Sequence, residues 1–273
     1  MNKSDLSGFS DVDRTPDPDV YLRLLDSIND WPFFRDQQKP TSIELLQVRP
    51  GQHILDVGCG VGDVTRMLAE RVGPTGRMVG VDLSERLIAE ARRRTGPAAA
   101  PIEFLVRDAE RLDWPDGSFD ASRADRVLMF MERPHLAVQE MIRVTRGGGR
   151  VVVGEFDMET AIVDSPYRAV TRKLVNFWCD SIPNSWIGRQ LPGLFQDFGL
   201  LAVQVVPLTL RMTAYSQWND VFQIEVTVER ARRANVVSAG EAALWLGQLR
   251  DADRAGRFSL AITLFLVAGQ KPG

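Results

Sequence analysis

Cysteine, histidine and tyrosine are scarce in this 273-residue chain, with two, two and three copies. Two cysteines, Cys59 and Cys179, cannot build a disulfide framework, and so small a number fits a reducing compartment, so a cytoplasmic protein is expected. No spacing among the cysteines and histidines matches a metal site, and no metal is expected. A positive surplus is also missing. With 33 Lys+Arg against 36 Asp+Glu the net charge is -3, which leaves no long-range field to gather phosphate backbones, and nucleic acid is not an expected partner. Nowhere do about 18 apolar residues run together, so no membrane span is expected, and the apolar stretch at 260–268, interrupted by Thr263, reads as a buried strand. The opening MNKSDLSGFSDVDRTPDPDV lacks the apolar stretch of a secretory signal.

What is present is a hydrophobic fraction of 44% beside 25% charged residues, which excludes disorder and supports one large α/β domain with a cap over 1–273. Residues 1–18, rich in Asp, Ser and Pro, lack periodicity and read as a mobile arm. An N-terminal helical cap follows over 19–48: Val20, Leu24, Leu25 and Ile28 recur at helical spacing, Trp31, Phe33 and Phe34 add aromatic mass, and Thr41 can cap a second helix. Over 49–160 short apolar runs alternate with amphipathic stretches, the pattern of βαβ units around a parallel sheet. Strands are predicted at 53–57, 77–82, 102–107, 119–124 and 150–155, and helices at 63–72, 85–95 and 134–145. The glycines of Arg146-Gly147-Gly148-Gly149 end the last of these helices in a turn. Over 161–273 the spacing predicts helices at 166–181, 216–234 and 239–255 and two more strands at 200–211 and 258–268. The helices outside the alternation would cap the carboxyl ends of the strands, where open α/β sheets bind ligands.

The segment Ile54-Leu55-Asp56-Val57-Gly58-Cys59-Gly60-Val61-Gly62-Asp63 puts a carboxylate near the end of the first strand and three alternating glycines in the turn after it. The third glycine stands at 62 and Asp at 63, so the spacing is GxGxG and the dinucleotide pattern GxGxxG fails. No Gly-Lys-Ser/Thr follows, which excludes a Walker A loop. Asp56 beside the loop would repel a pyrophosphate and suits a ligand with an ammonium or sulfonium group. Asp82, at the end of the second strand, stands where a ribose diol would lie, or else belongs to the N-cap of the next helix. Asp108-Ala109, past the third strand, adds an acid that can accept from an exocyclic amine.

With these motifs the sequence resembles the class I S-adenosylmethionine-dependent methyltransferases of the UbiE-like small-molecule group. Leu55 to Asp63 matches the family's first motif, and Gly80-Val81-Asp82-Leu83-Ser84 matches its second. Arg107-Asp108-Ala109-Glu110, Trp114-Pro115-Asp116-Gly117-Ser118-Phe119-Asp120, Asp125-Arg126-Val127-Leu128 and Arg143 to Gly149 extend the likeness through the core. The resemblance implies a Rossmann-like, seven-stranded, mostly parallel sheet with helices on both faces and its last strand antiparallel. It also implies S-adenosyl-L-methionine as cofactor. Asp56 with the backbone of Gly58, Cys59 and Gly60 would face the methionine end, Asp82 the ribose, Leu83 the adenine face, and Asp108 and Ala109 the adenine edge. Where relatives often carry His or Gln after the Val-Leu of strand four, this chain has Met129-Phe130-Met131, which makes a greasier floor.

Methyl transfer from a sulfonium is an in-line displacement in which positioning supplies much of the rate, and a base is needed only when the nucleophile must lose a proton. His53 and His135 read as surface or capping residues. The candidate catalytic residues are Tyr21, as a lid over cofactor and substrate, Glu155 and Asp157 after strand five, and Glu225 on a helical stripe with Trp218 and Phe222. Aromatics crowd the cap, so the expected partner is a small hydrophobic, aromatic metabolite, and the expected activity is methylation of the tailoring kind found in natural product biosynthesis. The alternative is a protein that keeps the cofactor site but uses its cap for a non-methylating task such as cyclisation.

Overall fold

The computed structural model describes residue 9 and residues 11–273. Among the described residues, seven strands form one sheet: β1 (His53–Val57), β2 (Arg77–Asp82), β3 (Ile102–Val106), β4 (Phe119–Asp125), β5 (Thr145–Val163), β6 (Leu201–Met212) and β7 (Leu260–Gln270). Their order is β3-β2-β1-β4-β5-β7-β6. The first five run parallel, and β7 lies antiparallel between β5 and β6. The inner strands are apolar on both faces because helices cover both, and four of the five residues of β1 are buried.

The helices start where local chemistry allows. After Gly62, at φ 80°, the chain enters α3 (Asp63–Val72). The hydroxyl of Ser84 accepts from Leu87 N to cap α4 (Glu85–Arg94). Pro134 opens α5 (Pro134–Val144) from the first turn, where its missing N–H costs nothing. The reversal between strand and helix therefore falls at the carboxyl ends of β1, β2 and β4, which is where a ligand can reach exposed backbone.

The helices outside the alternation are α1 (Pro18–Asn29), α2 (Lys39–Leu46), α6 (Arg168–Cys179), α7 (Ile187–Asp197), α8 (Tyr215–Phe222), α9 (Ile224–Arg233) and α10 (Ala239–Arg254), of which α2 and α7 pack directly on the sheet. Trp178, Trp218 and Trp245 are all but fully buried and share one apolar cluster with Leu55, Val57 and Val153 of the sheet, so cap and sheet pack as one core.

Several expectations need correction. The arm expected over 1–18 partly falls outside the described residues, but residues 12–14 form a tight helical turn with Val12 buried against Leu22, Val61 and Leu87. Thr41 caps nothing: Phe33–Gln38 is a π-helical stretch that runs straight into α2, because Pro40 sits in the first turn and breaks no bond. The glycines at 147–149 lie inside β5, with only Gly148 at positive φ, and β5 continues to Val163 because β7 satisfies its backbone through Ile162 and Val163. The helix expected at 216–234 breaks at Gln223, which is left-handed with φ 48°. Helix α7 is absent from the sequence expectations, and it forms with Pro192 inside it. A Cβ at Gly188 would stand 2.8 Å from Glu155 O, so that glycine lets α7 lie directly on β5.

Candidate active site

A cavity of about 460 Å³ opens at the carboxyl ends of β1, β2 and β4, a size suited to a small ligand. One half is polar and framed by the glycine loop. Gly58, Gly60 and Gly62 all have positive φ, and a Cβ on Gly58 would stand 2.1 Å from Val127 Cγ2. No side chain fits at Gly58 against Val127, so the backbone there lies bare at the cavity. Asp82 closes this half: its Oδ2 accepts from Gly60 N at 2.9 Å and its Oδ1 from Ser84 N at 3.0 Å. Burial pushes its carboxyl above the ordinary value. Leu83 is exposed beside it, and Asp108 and Ala109 form the far rim.

The other half is apolar. Trp31, Phe34, Met129, Phe156, Met158 and Phe222 line it, drawn from the N-terminal cap, the β4 exit, β5 and α8. Phe34 meets Phe156 edge to face at 6.3 Å between centroids.

Between the halves lies a set of charges. Lys39, Arg123 and Arg126 line the cavity with Asp63 and Asp125. Arg123 Nη1 donates to Asp56 Oδ1 at 2.7 Å, while its buried Nη2 has no hydrogen-bond partner. Asp125 Oδ1 accepts from Gln38 Nε2 at 2.9 Å, and Gln38 Oε1 is buried without a partner. Burial lowers the pKa of Lys39, which reaches Asp63 at 3.9 Å. Of the two side chains with an unpaired atom, Arg123 belongs to the cavity wall and Gln38 lies behind it.

Of the residues expected at the cofactor, Gly58, Cys59, Gly60, Asp82, Leu83, Asp108 and Ala109 line the cavity, and Asp56 does not. Its side chain points between α3 and β4, where Thr65 Oγ1 donates to Oδ2 at 2.6 Å and Arg123 neutralises the charge. The four expected catalytic residues also stand off the wall. Tyr21 sits behind Phe9, edge to face at 5.0 Å, and Phe9 is the lining residue. Glu155 is wholly buried, its Oε1 accepting from Val127 N at 2.8 Å and Leu128 N at 2.6 Å. Burial pushes its carboxyl up to about 8, and its Oε2 has no partner. Asp157 is held by the Arg189 guanidinium. Glu225 accepts from Tyr215 Oη at 3.0 Å and Arg250 Nη2 at 2.7 Å, and the Arg250 contact lowers its pKa. Sequence reasoning missed Lys39, Arg123, Asp125 and Arg126. The signal was there in Ser122-Arg123-Ala124-Asp125-Arg126, since two charges in a buried central strand and a third just past its end point to a site that needs them.

Residues 55–153 match the family described as Methyltransferase domain. The chain is 37% identical over 233 residues to an uncharacterized 37.1 kDa protein in transposon TN4556 of Streptomyces fradiae, a match covering 85% of this chain and 66% of that protein. It is 38% identical over 120 residues to the ubiquinone/menaquinone biosynthesis C-methyltransferase UbiE of Ectopseudomonas mendocina, covering 43% of this chain and 47% of the relative. The chain thus spans less than two thirds of either relative. Among solved structures it superposes on a putative methyltransferase from Bacillus halodurans with TM-score 0.62 at 17% identity, covering 86% of this chain and 99% of that one. It also superposes on the [4+2]-cyclase SpnF with TM-score 0.55 at 20% identity, covering 93% of each. At such identities the structural likeness speaks for the fold. Glycine loop, acid at the end of β2 and sheet order together define a Rossmann-like α/β fold with an antiparallel seventh strand. Over residues 55–153 the chain is thus similar to the class I S-adenosylmethionine-dependent methyltransferases of the UbiE-like group.

Proposed function

We propose that the protein moves the methyl group of S-adenosylmethionine to a small hydrophobic, aromatic acceptor, as a tailoring enzyme of natural product biosynthesis in the cytoplasm. The observation that carries this reading is the continuity of one cavity from Gly58, Gly60 and Asp82 to Phe34, Phe156, Met158 and Phe222. The cofactor supplies an activated methyl on a sulfonium, and the protein's part is to hold it and bring the acceptor into line.

In this reading Asp82 takes the ribose hydroxyls, Leu83 covers one adenine face, Asp108 and Ala109 meet the adenine edge, and the backbone at 58–60 faces the methionine end. Arg123 Nη2, which has no hydrogen-bond partner, is suited to that end, a task the motif assigns to Asp56. Tyr21 acts through Phe9 as part of the lid. The two free thiols, Cys59 and Cys179, fit a reducing compartment. Among the described residues neither histidine lines the cavity, so this reading assigns no histidine base to the acceptor.

The test is calorimetry with S-adenosylmethionine and its demethylated product, followed by turnover across phenols, indoles and amines. Micromolar binding with methylation of an aromatic member is expected. Binding without turnover on any member would favour the non-methylating alternative, such as cyclisation.

A further inference from the structure

We infer that Arg126 makes the apolar half of the cavity selective for an aromatic acceptor that carries an anionic oxygen. The inference rests on the proposed function and names the acceptor class within it. Arg126 stands at the exit of β4, between the polar and apolar halves, and its guanidinium carbon lies 4.4 Å from the centroid of the Phe34 ring. Phe34 belongs to the apolar wall, so the positive charge borders the acceptor's side of the cavity.

Three observations indicate that this guanidinium is held ready. First, Arg126 has φ 57°, the left-handed region, at a non-glycine residue, which costs about 1 kcal/mol and persists only when the surroundings enforce it. The enforcing contact is Arg126 N donating to Gly154 O at 2.8 Å. Second, its side chain is only 20% exposed, yet the one side-chain hydrogen bond it makes among the described residues is a long one, Nε to Asp125 Oδ2 at 3.4 Å. The Nη groups are unspent, and a guanidinium fork matches a carboxylate or phenolate oxygen. Third, the local charge is unbalanced. Lys39, Arg66, Arg123 and Arg126 share three carboxylates, Asp56, Asp63 and Asp125. The bound cofactor brings an ammonium and a sulfonium against one carboxylate, which increases the positive excess. Of the other acids lining the cavity, Asp82 and Asp108 lie at the ends of β2 and β3, Glu110 is paired with Arg133, and Glu132 has an interaction of its own. An anion entering beside Phe34 meets a positive field in a poorly hydrated chamber, where attraction is strongest.

The experiment uses the full chain saturated with S-adenosylhomocysteine. Fluorescence titration compares 2-naphthoate with its neutral counterpart 2-naphthalenemethanol on wild type, Arg126→Lys and Arg126→Met. Wild type should prefer the carboxylate by about tenfold, Arg126→Lys should keep part of that preference, and Arg126→Met should lose it. Affinity for S-adenosylhomocysteine, read by calorimetry, should stay within about twofold in all three. Equal binding of the two naphthalenes to wild type overturns the inference but leaves the proposed function standing. A large loss of S-adenosylhomocysteine affinity in Arg126→Met with the naphthoate preference intact also overturns it, because the guanidinium would then serve the cofactor's carboxylate. Binding of neither naphthalene to a protein that binds the nucleoside refutes the aromatic acceptor, and the inference with it.

Discussion

Arg123 Nη1 lies 2.7 Å from Asp56 Oδ1 with both side chains almost wholly buried, 3% and 1% exposed, so the acid of the first motif is spent inside the fold. A buried ion pair contributes little net stability compared with an apolar pair, but removing one partner strands the other. Asp56→Ala should therefore cost about 3–5 kcal/mol in urea unfolding, and Arg123→Met a similar amount. The double variant Asp56→Leu with Arg123→Met should recover much of the loss. If Asp56→Ala instead melted like wild type and lost only nucleoside affinity, the acid would belong to the ligand after all.

Glu155 gives a pH signature. Its folded carboxyl titrates near 8 against an ordinary 4.5, because it is buried with one oxygen unpaired. The folded state then holds a proton that the unfolded state has released between those values, so this group's stabilising contribution is full below about 4.5 and is lost as pH rises through about 8. The loss should reach a few kcal/mol, on the order of what several pKa units represent. Glu155→Gln keeps an oxygen for Val127 N and Leu128 N and has no proton to release. Its urea midpoint should change little from pH 5 to 8.5 on this account, while that of wild type falls. Parallel curves would refute it.

Local chemistry made the core legible. The edges of β1, β2 and α3 follow from Ile54-Leu55-Asp56-Val57 and its glycines, and seven of the eight expected cofactor residues line the cavity. What escaped depends on contacts far apart in sequence. Asp56 reads as a ligand group until Arg123, 67 residues on, is seen to neutralise it. Glu155 and Asp157, expected after strand five, stand inside β5, which runs on to Val163, and nothing local reveals that one caps the β4 exit while Arg189 from α7 holds the other. Helix α7 hid behind Pro192, since only packing against β5 makes a helix there favourable.

Gly58 should be the least replaceable glycine. A Cβ there meets Val127 at 2.1 Å and also faces φ 65°. Gly58→Ala therefore combines a backbone penalty of about 1 kcal/mol with overpacking of about 1–3 kcal/mol. It should also push the loop off β4 and weaken binding of S-adenosylhomocysteine at least about tenfold. Adding Val127→Ala removes the clashing methyls but not the strained φ, so affinity should return in part. A Gly58→Ala protein with wild-type affinity would show that the loop is not a cofactor cradle.

Asp13 clasps the N-terminal segment onto the start of α4, three residues past Asp82. Its Oδ1 accepts from Ser84 Oγ at 2.6 Å and Arg86 N at 3.2 Å, and its Oδ2 from Glu85 N at 2.7 Å. These backbone donors are the unsatisfied ones of a helix start, and a carboxylate opposite them also meets the positive end of the helix dipole. Asp13→Ala should cost about 1 kcal/mol by loss of this cap. Because Val12 packs on Val61 of the glycine loop and Leu87 of α4, release of the clasp should also speed proteolytic cleavage near residue 15 in the free protein. It should raise the dissociation rate of S-adenosylhomocysteine several-fold in stopped flow, with Asp13→Asn intermediate because the amide oxygen accepts without the charge. Unchanged cleavage and dissociation in Asp13→Ala would mean that the segment is held by Val12 alone and that the clasp has no part in closing the site.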